Sequence, residues 1–145
     1  MNDKEFEIQK KRIKKLLDKW RMPLGLGWWR VTLSYSREKS RGEGVPSEHN
    51  ADIEGAWDVV FSTRSDFYYR TATITAFLPI IKDLNDEDTE RYFLHECAHI
   101  LVTPMKHKDR SSEEELVATT LADTILWVVQ DKKLHKLFFS KKKQL

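Results

Sequence analysis

Between residues 3 and 21, apolar side chains recur at helical spacing. Phe6, Ile13, Leu16, Leu17 and Trp20 hold one side, and lysines and arginines fill the positions between them. This is the pattern of an amphipathic helix laid on a core. Pro23 and Gly25-Leu26-Gly27 end it. The pattern then changes. Trp28 to Tyr35 is rich in aromatic and β-branched residues and reads as a strand. Residues 37–55 place Gly42, Gly44, Pro46 and Gly55 among charges and read as a long loop. Ala56 to Thr63 and Phe67 to Leu78 are two further strands, with Ser65-Asp66 as the hairpin turn between them. In the second, Thr71, Thr73, Thr75 and Phe77 alternate with Ala72, Ile74, Ala76 and Leu78. That period of two gives the strand two unlike faces. Pro79 closes it.

Asn85 is a good N-cap, and Asp86, Glu87 and Asp88 suit a first helical turn, where the helix dipole favours acids. A helix is expected over 86–102, stopped by Pro104. After a polar, basic loop at 104–111, Ser111 or Ser112 caps a last helix running to about residue 130. The remaining tail, 131–145, holds a short amphipathic piece from Leu134 to Phe139 and ends in Lys141-Lys142-Lys143. It is expected to lack fixed structure. The order is helix, three strands, helix, helix, in one domain spanning 1–145. Most strand connections are too short for parallel crossovers, so the fold class expected is α+β with a small, mostly antiparallel three-stranded sheet.

Composition changes this picture little. At 145 residues, 40% hydrophobic and 33% charged, the chain can bury a core without staples. Cys97 is the one cysteine, so no intrachain disulfide forms. The formal net charge of +2 argues against nucleic acid as the main partner. The helix face made by Lys10, Lys11, Lys14, Lys15 and Lys19 reads as solvated. The charged start, Met1-Asn2-Asp3-Lys4-Glu5-Phe6, has no apolar leader. No apolar run approaches the ~18 residues of a membrane span. A soluble, cytoplasmic protein with no membrane partner is expected.

Chemistry enters with His95-Glu96-Cys97-Ala98-His99. Residues four apart on a helix share a face, so both imidazoles can reach one zinc ion. Glu96, rotated by ~100° from His95, borders the ion, where a general base would take a proton from metal-activated water. Tyr92, His95, Glu96, His99 and Thr103 fall on one face of the wheel, and Phe93, Leu94, Cys97, Ile100 and Leu101 on the other. Cys97 therefore reads as core packing. Trp20, Trp28, Trp29, Trp57 and Trp127 read as core and sheet-packing residues, and His49 and His135 as solvated side chains.

A catalytic zinc usually takes three protein ligands and keeps one open position. Position 105 is Met, which excludes the third histidine of a metzincin. His107 and Asp109 fall in the loop. Better candidates open the last helix. Glu114 lies in line with the apolar stripe Val117, Leu121, Ile125 and Val128. Glu115 falls on the flank beside Ala118 and Thr119, and Glu113 points to solvent. A carboxylate aimed inward needs a partner, which favours Glu114, with Glu115 the choice if the register shifts. Ser111-x-x-Glu114 and Ser112-x-x-Glu115 are also capping-box patterns, so either glutamate could serve its helix alone.

With these residues the chain resembles the gluzincins, specifically compact minigluzincin-like and phage-type metallopeptidases. The resemblance rests on His95-Glu96-Cys97-Ala98-His99 followed by Glu114-Glu115-Leu116-Val117-Ala118-Thr119-Thr120-Leu121, with Leu24-Gly25-Leu26-Gly27-Trp28-Trp29 opening the first strand. It implies a zincin-like fold, zinc held by His95, His99 and Glu114, Glu96 as general base, and a peptide or protein substrate. It also implies that the strand before the motif helix, about 69–78, lines the cleft and accepts the substrate as an added strand. The interval from His99 to Glu114 is shorter than in the larger gluzincins, and their second, oxyanion-stabilising histidine has no match. Tyr92, on the zinc face, is the candidate in its place. Two alternatives stand beside peptide hydrolysis: a non-catalytic, zinc-stabilised interaction module, and a basic nucleic-acid-associated protein with incidental histidines.

Overall fold

A computed structural model describes residues 1–41, 58–103 and 111–130. The first helix, α1 (Asp3–Trp20), starts at a capping box. The Asn2 side chain accepts from the Glu5 amide, and the Glu5 carboxylate accepts from the Asn2 amide. Its inward stripe is Ile13, Leu17 and Trp20, all buried, with Phe6 and Leu16 packed at the margin. Arg12 ties this helix to residues 81–86. Its guanidinium donates to the Ile81 and Leu84 carbonyls at 3.2 and 3.1 Å and pairs with Asp86 at 2.7 Å.

β1 (Arg30–Ser36), β4 (Phe61–Asp66) and β5 (Thr71–Phe77) form a three-stranded sheet in the order β1-β5-β4. Two short strands, β2 (Ser40–Arg41) and β3 (Asp58–Val59), pair separately. The three-stranded sheet is mixed rather than mostly antiparallel. β4 and β5 are an antiparallel hairpin, but β1 runs parallel to β5, with Arg30 opposite Thr71 and Ser36 opposite Phe77. Parallel neighbours need a long return path, and the chain between residues 36 and 71 supplies one. The hairpin turn also lies later than Ser65-Asp66. Both of those residues are in β4, and the turn is Phe67 to Arg70. Arg70 takes the left-handed φ of 49° that closes it.

The alternation in β5 holds as expected. Ala72, Ile74 and Ala76 are buried on one face, and Thr71, Thr73 and Thr75 lie on the other. The buried face carries the core, which joins α1, α2 (Leu78–Ile81), α3 (Asp86–Val102) and α4 (Ser111–Gln130). Fold class is therefore α+β, from four helices and this small sheet.

Three apolar side chains expected in the core are exposed. Leu101 is exposed, because it sits at the edge of the buried arc of α3. Trp28 and Trp127 are also exposed, unlike the buried Trp20 and Trp29. No helix among the described residues is long and apolar enough to cross a membrane. The expectations for the 104–110 loop, His49, Trp57, His107, Asp109, His135 and the tail from 131 lie outside the described residues.

Candidate metal centre

α3 is held at both ends by the residues that delimit it. At its start the Asn85 side chain accepts from the Asp88 amide at 2.8 Å, and the Thr89 hydroxyl donates to the Asn85 carbonyl. At its end the Thr103 hydroxyl donates to the His99 carbonyl at 2.8 Å. With its one proton used there, Thr103 accepts from the Ser65 hydroxyl of β4 at 2.5 Å. Between these points Phe93, Leu94, Cys97, Ala98 and Ile100 are fully buried. Burial pushes the Cys97 thiol far above its ordinary pKa, which leaves it an inert packing group.

β4, not β5, runs along the front of α3. Phe61 meets Phe93 edge to face at 5.8 Å, the Thr63 hydroxyl donates to the Glu96 carbonyl at 3.4 Å, and Ser65 reaches Thr103. β5 is the central strand, bonded on both sides, so the segment 69–78 has no edge to offer. β4 has one, with no strand beyond it among the described residues.

His95 and His99 project from α3 toward α4, where a carboxylate meets them. Glu115 Oε1 lies 2.9 Å from His95 Nε2, and its Oε2 lies 3.3 Å from His99 Nε2. The two Nε2 atoms are 2.9 Å apart. One ligand atom from each of these three residues falls within 4.8 Å of the others, a group able to hold a metal ion. Around a tetrahedral zinc, bonds of ~2.0–2.2 Å set neighbouring ligand atoms about 3.3 Å apart. The observed separations are within a few tenths of an ångström of that. Two imidazoles and a carboxylate also suit zinc chemically.

The preference between the glutamates thus reverses. Glu115 stands in the cluster, and Glu114 stands behind it, with Oε1 3.1 Å from His99 Nδ1. The cause is the register of α4. Its fully buried positions are Ala118 and Ala122 rather than Val117 and Leu121. Glu115 precedes that pair by three and seven residues, the spacing that Glu114 has to Val117 and Leu121. Small side chains let α4 approach α3 closely, and they mark the contact line better than the bulkier neighbours. Glu113 is exposed, as expected. The capping readings involve the Ser111 and Ser112 side chains, which lie outside the described residues.

The far nitrogens of both rings are also engaged. His99 Nδ1 faces Glu114, and His95 Nδ1 lies 3.3 Å from the Thr119 hydroxyl. When each Nδ1 carries the proton, it donates outward and leaves Nε2 free to ligate. Sequence reasoning missed Thr119. Its signal was the position four residues after Glu115, on the same helix face.

Electrostatics follow this layout. Hydrogen bonds from His95 and then His99 hold the Glu115 carboxyl far below the usual range. Burial works to lower the His99 pKa, but its bonds to Glu115 and Glu114 outweigh this and the net shift is upward. Glu96 is raised by burial, partly offset by a hydrogen bond from Thr63 and by the two imidazoles. A half-buried carboxylate of raised proton affinity next in sequence to a metal-ligand histidine is the disposition expected of a proton acceptor. Tyr92 is half-exposed, one turn before Glu96 on this helix.

Compared with protein-family models, curated proteins and solved structures, the chain has no match.

Proposed function

We propose that this protein is a zinc-dependent peptidase of gluzincin type, acting on a protein or peptide. The observation that supports this best is the convergence of His95, His99 and Glu115, with the half-buried Glu96 on the helix that carries both histidines. Zinc held by those three residues supplies a Lewis acid for the scissile carbonyl and an activated water. Glu96 then acts at its carboxylate. It accepts the proton of the attacking water and returns it to the leaving amine. Its raised proton affinity suits that exchange. Glu114 and Thr119 orient the two imidazoles through Nδ1. Tyr92 is the candidate donor to the developing oxyanion. The outer edge of β4, which no strand covers among the described residues, gives an extended peptide a place to add as a strand along α3.

The test has two parts. Elemental analysis of protein purified without added metal should find about one zinc per chain. Glu96→Gln should keep that zinc and lose hydrolysis of an unfolded protein substrate by at least ~10²-fold. Full activity in Glu96→Gln excludes the mechanism. Bound zinc without turnover in the parent protein favours the non-catalytic module instead.

A further inference from the structure

The core uses one face of the sheet. By strand alternation and register, the other face carries three cross-strand rows, Arg30, Thr71 and Asp66; Thr32, Thr73 and Arg64; Ser34, Thr75 and Ser62, and ends beyond them in the pair Ser36 and Phe77. None of the nine is aliphatic or aromatic, and six carry a hydroxyl. None of the nine belongs to the hydrophobic core. Aromatic residues gather at the end of the sheet where β1 starts and the β4–β5 turn lies. Trp29 contacts Phe67 at 6.3 Å, and Phe67 contacts Tyr68 at the same distance. The Arg30 amide donates to the Arg70 carbonyl at 2.8 Å, which fixes the 67–70 turn beside the start of β1. Yet Trp28, Tyr68 and Tyr69 are 83%, 94% and 80% exposed. Large, rigid rings left in water at one end of a sheet mark an interaction site.

The charges indicate what the site receives. Arg12, Arg37 and Arg91 each pair with a carboxylate. Arg30, Arg64 and Arg70 have no ion pair among the described residues. The one carboxylate on the face, Asp66, is turned into the hairpin, where Oδ1 accepts from the Tyr69 amide at 3.1 Å. The guanidiniums of Arg30 and Arg64 on the face and of Arg70 in the adjoining turn, a bed of hydroxyls and exposed π-faces match phosphodiesters and unpaired bases. Paired bases keep their faces stacked inside the duplex and cannot meet those rings. A protein partner calls for an apolar centre, and the flat part of this face has no aliphatic side chain. The near-neutral charge of the whole chain does not bear on a local patch.

We infer that the outer face of the β1-β5-β4 sheet, with the exposed rings of Trp28, Tyr68 and Tyr69 at its end, binds single-stranded nucleic acid. This lies on the side of the sheet away from α3 and the metal-ligand cluster, and is independent of the peptidase reading.

The test is fluorescence anisotropy of the full chain with a labelled oligo(dT) of about twelve nucleotides. Saturable binding should weaken with salt at a log–log slope of about −2, from ~0.7 per neutralised phosphate at three arginines. The double variant Arg30→Gln/Arg64→Gln should flatten that slope by more than half. Trp28→Ala/Tyr68→Ala/Tyr69→Ala should weaken binding by at least about fivefold and leave the slope alone. Tyr68→Phe/Tyr69→Phe keeps the rings and should bind like the parent, which separates lost stacking from lost folding. Absence of binding at ~50 mM salt overturns the inference. So does binding that both sets of substitutions leave intact, or equal affinity for a duplex of the same length.

Discussion

Glu115 reaches across the gap between helices to His95, its Oε1 2.9 Å from Nε2, while its neighbour Glu114 addresses the far side of His99. Adjacent glutamates therefore have different work in a bound-metal state. Glu115→Ala removes a ligand and should abolish zinc retention through dialysis. Glu114→Gln removes only the partner of a ligand's Nδ1, and should weaken zinc by about 10–100-fold. Chelator competition measures both. Zinc kept by Glu115→Ala and lost by Glu114→Gln would return Glu114 to the ligand set.

How legible this was depended on the element. The bounds of α3 followed from Asn85, the three acids after it and Pro104, because caps and breakers act locally. The neighbours of β5 did not follow. Alternation states which side chains share a face but not which strand lies alongside, and the partner β1 is reached only through the long segment between residues 36 and 71. His95, Glu96 and His99 share a helix, so their placement needed no tertiary knowledge. Glu115 needed the contact line between two helices. Val117 and Leu121 looked like that line by bulk, but Ala118 and Ala122 form it because closeness rewards small residues. Trp28 and Trp127 show the complementary failure, since hydrophobicity alone does not bury a side chain.

Metal removal should destabilise the protein. The cluster joins α3 to α4, and an ion that binds only the folded chain adds stability of about 4 kcal/mol when present at a thousand times its Kd. Thermal melts with and without chelator should separate by several degrees. Glu115→Ala should melt at one temperature in both conditions. A parent protein indifferent to chelator would mean that nothing is held there.

Phe93 and Leu101 test which arc of α3 faces the core. Phe93 is fully buried against Phe61, and Leu101 is exposed. Phe93→Ala should cost about 3–5 kcal/mol, from lost transfer energy and the cavity left behind. Leu101→Ala should stay within about 0.5 kcal/mol of the parent. Urea denaturation gives both values. Comparable losses would show that the buried arc is wider than the structure places it.

Arg12 and Asp86 make a 2.7 Å ion pair, but the two ends of it are unequal. Asp86 is almost wholly in water. Arg12 is mostly covered, and it also donates to the carbonyls of Ile81, the last residue of the short helix α2, and of Leu84 just beyond it. Those carbonyls are end-of-helix acceptors that need a donor. Removing the guanidinium takes the donor from the Leu84 carbonyl, at about 1–3 kcal/mol, while the Ile81 carbonyl keeps the Leu84 amide at 3.1 Å, and it loosens the tie between α1 and the entry to α3. Asp86→Ala removes only an exposed charge, and Arg12 keeps both carbonyls. Arg12→Ala should therefore destabilise much more than Asp86→Ala. In the double-mutant cycle, little of the Arg12 effect should depend on Asp86. Equal single-variant losses in urea titrations, with a coupling as large as either, would instead assign the stabilisation to the ion pair.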